Sequence, residues 1–132
     1  MSKSINWDDA MNQVGGDRDF LEEVLGDLMT EAETADQEIS AVIEGPNVTS
    51  EDFLTVKKAA HRIKGSASYL CCEDLRSISE DMQVLGDRGA TKADDDHAAT
   101  LREIKVKFAL YRSYIIELKQ EVKKNLQNAG KK

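Results

Sequence analysis

The sequence predicts an all-α protein: an antiparallel four-helix bundle with a short additional helix at its N-terminus. Three observations carry this. Aromatic residues make up 5% of the 132-residue chain and proline occurs once, which disfavours a β domain. Hydrophobic residues reach 40%, enough for a core despite a formal net charge of −7. Apolar residues recur at three- and four-residue intervals in four long stretches joined by short turn-forming segments, as in helices that pack on one another. The length suits a single domain over residues 1–132, and neither a repeat nor a low-complexity segment divides it.

The first helix is expected around Asn6 to Val14, anchored by Trp7 and ended by Gly15-Gly16. Asp17 is a good N-cap for the second, which runs to about Glu44. Its stripe is Leu21, Val24, Leu28, Ala32, Ala35, Ile39 and Ile43, and Gly45-Pro46 is expected to stop it with glycine as the C-cap. The third begins after Thr49 or Ser50, where Thr49 and Asp52 resemble a capping box. Val56, Ala60, Ile63, Ala67 and Leu70 form its buried stripe. The fourth, roughly Glu73 to Leu85, carries Leu75, Ile78, Met82 and Leu85, and Gly86 and Gly89 are expected to break the chain after it. The last starts between Thr91 and Asp96 and reaches about Leu126. It carries Leu101, Ile104, Phe108, Tyr111, Ile115, Leu118 and Val122. Its Lys and Arg gather near the end, which suits the helix dipole. This last pattern alone also suits a coiled coil. The bundle is preferred because the other stripes need partners of their own.

Charge and cysteine content exclude several functions. A pI near 4.9 argues against general nucleic-acid binding and against an anionic membrane surface. No apolar run is long enough to span a bilayer, and the N-terminus resembles neither a signal region nor a myristoylation start. A cytoplasmic protein is expected, with nuclear shuttling open to it in a eukaryote. Cys71 and Cys72 are adjacent, so no disulfide framework is implied, and small apolar fillers are preferred to reactive thiols. His61 and His97 stand at no familiar ligand spacing, so no metal site is expected, and no cofactor either. Asp94, Asp95, Asp96 and His97 could surround a cation, but acids in a first helical turn ordinarily complement the dipole. No nucleotide-binding loop or Ser-His-Asp spacing is present, so an enzyme is not expected.

The third helix carries the candidate chemistry. At about 100° per residue, His61 falls about 140° from the centre of the buried stripe, with Lys57, Lys64 and Ser68 on its side and Gly65 close by. Lys57, Lys58, Arg62 and Lys64 make this segment basic in an otherwise acidic chain. A neutral imidazole is a nucleophile, and Lys64, one turn on, could neutralise phosphoryl oxygens. Gly65 would let a partner approach, which would explain a mid-helix glycine that costs about 1 kcal/mol against alanine. Ser68 could add a hydroxyl donor. An exposed histidine beside a lysine is also ordinary solvated surface, and a mid-helix glycine also serves helix packing. Periodicity leaves both readings open.

The stretch AAHRIKGSASYL resembles the signature of histidine-containing phosphotransfer (HPt) domains. VGGDRDFLEEVLGDLMTEA, the spacing to AAH and the Gly-x-x-Gly before the last helix are similar too, so the resemblance covers nearly the whole chain. It implies a phosphoryl shuttle between aspartates of receiver domains in a His-Asp phosphorelay. His61 would be the phospho-acceptor, Lys64 the phosphate-side lysine and Gly65 the access residue. Implied partners are receiver domains of hybrid histidine kinases and response regulators, met by a monomer that needs no ATP. Lys57 and Arg62 are candidate partner contacts. Leu25, Met29 and Phe20 widen the apolar face of the second helix and are candidates for a docking patch, or else ordinary core. The family usually has glycine where Cys71 stands. Either Cys71 takes a costly left-handed conformation or the third helix ends differently. The competing reading is a helical interaction module in which His61 is incidental.

Overall fold

A computed structural model describes residues 4–91 and 96–129, and Asp94 and Asp95 of the candidate cation group lie outside these. Five helices appear among the described residues: α1 (Trp7–Gln13), α2 (Arg18–Ile43), α3 (Ser50–Tyr69), α4 (Glu73–Ala90) and α5 (His97–Ala129). Each of the last four touches two others in the cyclic order α2, α3, α4, α5, which closes a four-helix bundle. Ion pairs and hydrogen bonds between the helices show that these neighbours are antiparallel. Arg62 meets Glu38 while Ser66 meets Glu31, and Lys57 meets Asp87 while Lys64 meets Glu80. On the far side Arg18 reaches Asn125 while Arg112 reaches Asp36.

Local chemistry starts the helices where the sequence places them. Asn6 accepts from the Asp9 N–H, and Asp17 from the Phe20 N–H. Thr49 and Asp52 form the reciprocal capping box at 3.3 and 2.9 Å, worth about 1 kcal/mol. Gly15 and Gly16 both have positive φ, +67° and +80°, and let the chain reverse between α1 and α2. Asp96 accepts from the Ala99 N–H at the start of α5.

The stripes on α3 and α4 are buried as expected, and those on α2 and α5 largely so. Tyr111 on α5 is fully buried, and its hydroxyl donates to the Ala32 carbonyl of α2 at 2.8 Å. Burial raises its ionisation well above that of free tyrosine, so it stays a neutral donor. Arg112 forks onto Asp36 and lies 4.3 Å from the centre of the Phe108 ring, fastening α5 to α2.

Four expectations are corrected. Gly86 and Gly89 do not break the chain: α4 runs through both to Ala90. A methyl on Gly86 would stand 2.7 Å from the Lys57 nitrogen, and one on Gly89 would stand 2.3 Å from the Phe53 ring. These glycines are where α4 crosses close over α3. Gly45 is not a left-handed C-cap; α2 is capped by Glu44 in a right-handed helical conformation. On α2 it is Leu25, 2% accessible, that enters the core, while Val24 is half-buried. The other six positions of the expected α2 stripe are buried, so only this one is exchanged. The bases near the end of α5 stop short of its last turn, where the dipole effect is concentrated.

The α3–α4 junction settles the question at Cys71. It takes φ +59°, the left-handed conformation, and α3 ends at Tyr69 with Leu70 as its cap. The Cys71 N–H donates to the Ser68 carbonyl and the Cys72 N–H to the Ala67 carbonyl, the paired closure of a Schellman motif. The Cys71 carbonyl in turn accepts from the Asn6 N–H, and Tyr69 donates its hydroxyl to the Gln13 carbonyl. Together these pin α1 across one end of the bundle. Cys72 is fully buried, and burial, followed by its neighbour Cys71, pushes its thiol up to about 12, which makes it an inert filler.

Candidate functional site

The site is built on the outer face of α3. Burying Val56, Ala60, Ile63 and Ala67 against the core turns His61 to solvent, where it is exposed. His61 lines a shallow concavity of about 430 Å³ with Lys57, Lys58 and Arg62 of its own helix and Gln83 of α4. Gln83 is the residue that sequence reasoning missed. Gln83 lines the same hollow as the imidazole, and its Oε1 is buried without a hydrogen-bond partner among the described residues. Its place on the α3-facing side of α4 was the available signal.

Gly65, one turn beyond His61, has nothing within 4 Å of the place a Cβ would take. It lines an adjoining groove between α2 and α3 of about 320 Å³, with Val24, Asp27, Glu31, Ser66, Tyr69 and Leu70. Packing does not require this glycine. Ser68 is exposed and lines neither hollow. Ser66, two residues before it, donates to Glu31 at 2.8 Å and ties α3 to α2.

The basic island is quieter than its sequence implies. Lys57 pairs with Asp87, Arg62 with Glu38, and Lys64 with Glu80, at 2.8, 2.7 and 3.6 Å. Glu80 is shared with Arg76, which also holds Glu73. Lys58 pairs with no acid among the described residues. Of the expected docking residues, Met29 is half-buried against the core and Phe20 is exposed. Leu25 is corrected: it is a core residue and offers no surface to a partner.

An α-helical bundle with an exposed histidine at mid-helix, a lysine one turn on and an open glycine beside it has the form of a phosphoryl carrier. The family model of the Hpt domain matches residues 19–129, from the first turn of α2 to the end of α5, and the chain belongs to that family. Hpt domains serve histidine phosphotransfer in phosphorelays, as phosphocarriers rather than kinases. The α1 helix lies outside the match. Among curated proteins and among solved structures nothing matches significantly. No helix among the described residues is long and apolar enough to cross a membrane, and no group of three or more His, Cys, Asp or Glu side chains among them could hold a metal ion.

Proposed function

We propose that this protein carries a phosphoryl group on His61 between aspartates of receiver domains. The observation that supports it most is the open approach to His61: an exposed imidazole, with Gly65 one turn away and nothing within 4 Å of the place its Cβ would take. In the transfer, an imidazole nitrogen of His61 attacks the phosphorus of a receiver's aspartyl phosphate. A P–N bond forms as the P–O bond breaks, and the electron pair leaves with the aspartate carboxylate. The reverse step unloads the histidine onto a second receiver.

Lys64 is placed to meet the transferred phosphoryl oxygens, one helical turn from His61 on the same side of α3. At rest its ammonium leans on Glu80 at 3.6 Å. Exposed pairs of this kind contribute about 0–1 kcal/mol, so a dianionic phosphoryl group outcompetes Glu80 for it. Gln83 shares the hollow of His61 from α4 and is a candidate to meet the bound phosphoryl group or the partner there. Ser68, seven residues beyond His61, is the outermost candidate donor. Lys57 and Arg62 flank the imidazole as partner contacts, and Met29 contributes only at the edge of an apolar patch.

The test is transfer from a phosphorylated receiver to the wild-type chain and to Lys64→Ala. Label on the wild type that is acid-labile and falls at least tenfold in rate for Lys64→Ala is the expected result. Equal rates for the two proteins would remove Lys64 from the mechanism.

A further inference from the structure

The net charge of −7 is not spread over the surface. The sequence of α2 holds eight acids against one base, Arg18, so this helix accounts for all of it and the rest of the chain is balanced. Some of these acids are occupied: Glu22 by Arg18, Glu31 by Ser66, Asp36 by Arg112 and Glu38 by Arg62. Asp19, Glu23 and Asp27 are exposed, recur every four residues and make no ion pair among the described residues. They form one unneutralised edge.

Asp27, the last acid of that edge, lines the α2–α3 groove together with Val24, Gly65 and Tyr69. Phe20 and Tyr69 are each 42% accessible, and Phe20 stands one turn before Val24 on α2. Large aromatic side chains exposed beside a groove are the usual anchors of a protein contact. Gly65 joins the groove to the histidine, since it lines the one and stands a turn from the other. The surroundings of His61 are therefore electrically lopsided. Towards α4, Lys57 and Lys64 are matched by Asp87 and Glu80; in the N-terminal half of α2, Asp19, Glu23 and Asp27 are unmatched among the described residues.

We propose that this acidic edge selects and orients the partner: a receiver that reaches His61 across Gly65 lays an apolar ridge flanked by lysine or arginine into the α2–α3 groove, against Asp19, Glu23 and Asp27. This rests on the carrier reading above. Opposite charge around a docking patch speeds encounter and fixes orientation, while a like-charged rim rejects wrong partners. A second copy of this chain would bring its own acidic edge and be repelled. The effect acts over about 8–10 Å at ordinary salt, so it fades as salt rises.

The experiment uses two forms of one phosphorylated receiver domain, with either lysines or glutamates flanking its docking helix. Transfer to wild type, to Glu23→Lys/Asp27→Lys and to a control with the same charge change on α5, Glu117→Lys/Glu121→Lys, is followed against salt. Phosphoramidate, a small donor with no docking surface, labels all three as a reference. The lysine form is expected to load wild type and the control about tenfold or more faster than the α2 variant at low salt. The gap should close as salt rises, the glutamate form should show the reverse preference, and phosphoramidate should load all three alike. Equal transfer to wild type and the α2 variant at low salt, or a control slowed as much, overturns the proposal and leaves the carrier reading intact. Self-association of wild type that the α2 variant loses puts a second copy on the edge and also overturns it. A wild type that takes label from neither receivers nor phosphoramidate overturns the carrier reading itself, and the proposal with it.

Discussion

Two helix-interior glycine sites on the α3–α4 pair do opposite jobs. Gly86 and Gly89 lie under the α3 backbone and the Phe53 ring, where an added methyl meets atoms at 2.7 and 2.3 Å. Gly65 lies on the outer side of α3, where an added methyl meets nothing within 4 Å. Each glycine weakens its helix by about 1 kcal/mol relative to alanine. In α4 that cost is offset by close helix packing. In α3 no packing offsets it, in keeping with the access proposed for a partner. A third position completes the comparison: Cys71 takes the left-handed φ of +59° in which glycine is at ease, without being glycine.

The comparison breaks first, and with the largest effect, at the α3–α4 seam. Gly86→Ala and Gly89→Ala are each expected to cost about 1–3 kcal/mol, because neither the Lys57 backbone nor the fully buried Phe53 ring can give way freely. Urea midpoints at unchanged slope measure this, and a loss below a few tenths of a kcal/mol would mean the seam is looser than described. Gly65→Gln is expected to leave stability unchanged or raise it by up to about 1 kcal/mol, yet to block phosphoryl uptake from a receiver. Folded protein with unimpaired transfer would remove the access argument. Cys71→Gly is expected to stabilise the fold by about 1 kcal/mol, a rise of a few degrees in Tm, by relieving the left-handed cysteine. A drop in Tm would show that the Cys71 side chain does more than fill space. Smallest is Glu80→Gln, which releases Lys64. Stability should move by less than about 1 kcal/mol while transfer quickens slightly, and a large slowing would make Glu80 a guide for Lys64 rather than a resting place.

The same contrast explains what the sequence could and could not reveal. Helix number, the caps at Asp17 and Thr49, and the outward turn of His61 follow from three- and four-residue periodicity and from side chains that bond their own backbone. These are local, so they are legible. Gly86 and Gly89 were not, because a glycine weakens a helix in the same way whether the chain stops there or another helix crosses there. Only Phe53 and Lys57, some thirty residues earlier, distinguish the two. Leu25 sits beside Val24, and three- and four-residue spacing fits either of them as core. The basic island read as a local reversal of charge because Glu38, Glu80 and Asp87 lie on other helices. Gln83 stayed out of view for the same reason. The phosphotransfer signature itself was legible as a resemblance, and the match over residues 19–129 bears out the family.

The central claim is that the exposed imidazole of His61 is the group that carries phosphate. The most direct measurement is uptake of label from a phosphorylated receiver by wild type and by His61→Gln, with both proteins shown folded by circular dichroism. Acid-labile label on the wild type and none on His61→Gln is the predicted result. Equal labelling of the two proteins would contradict it.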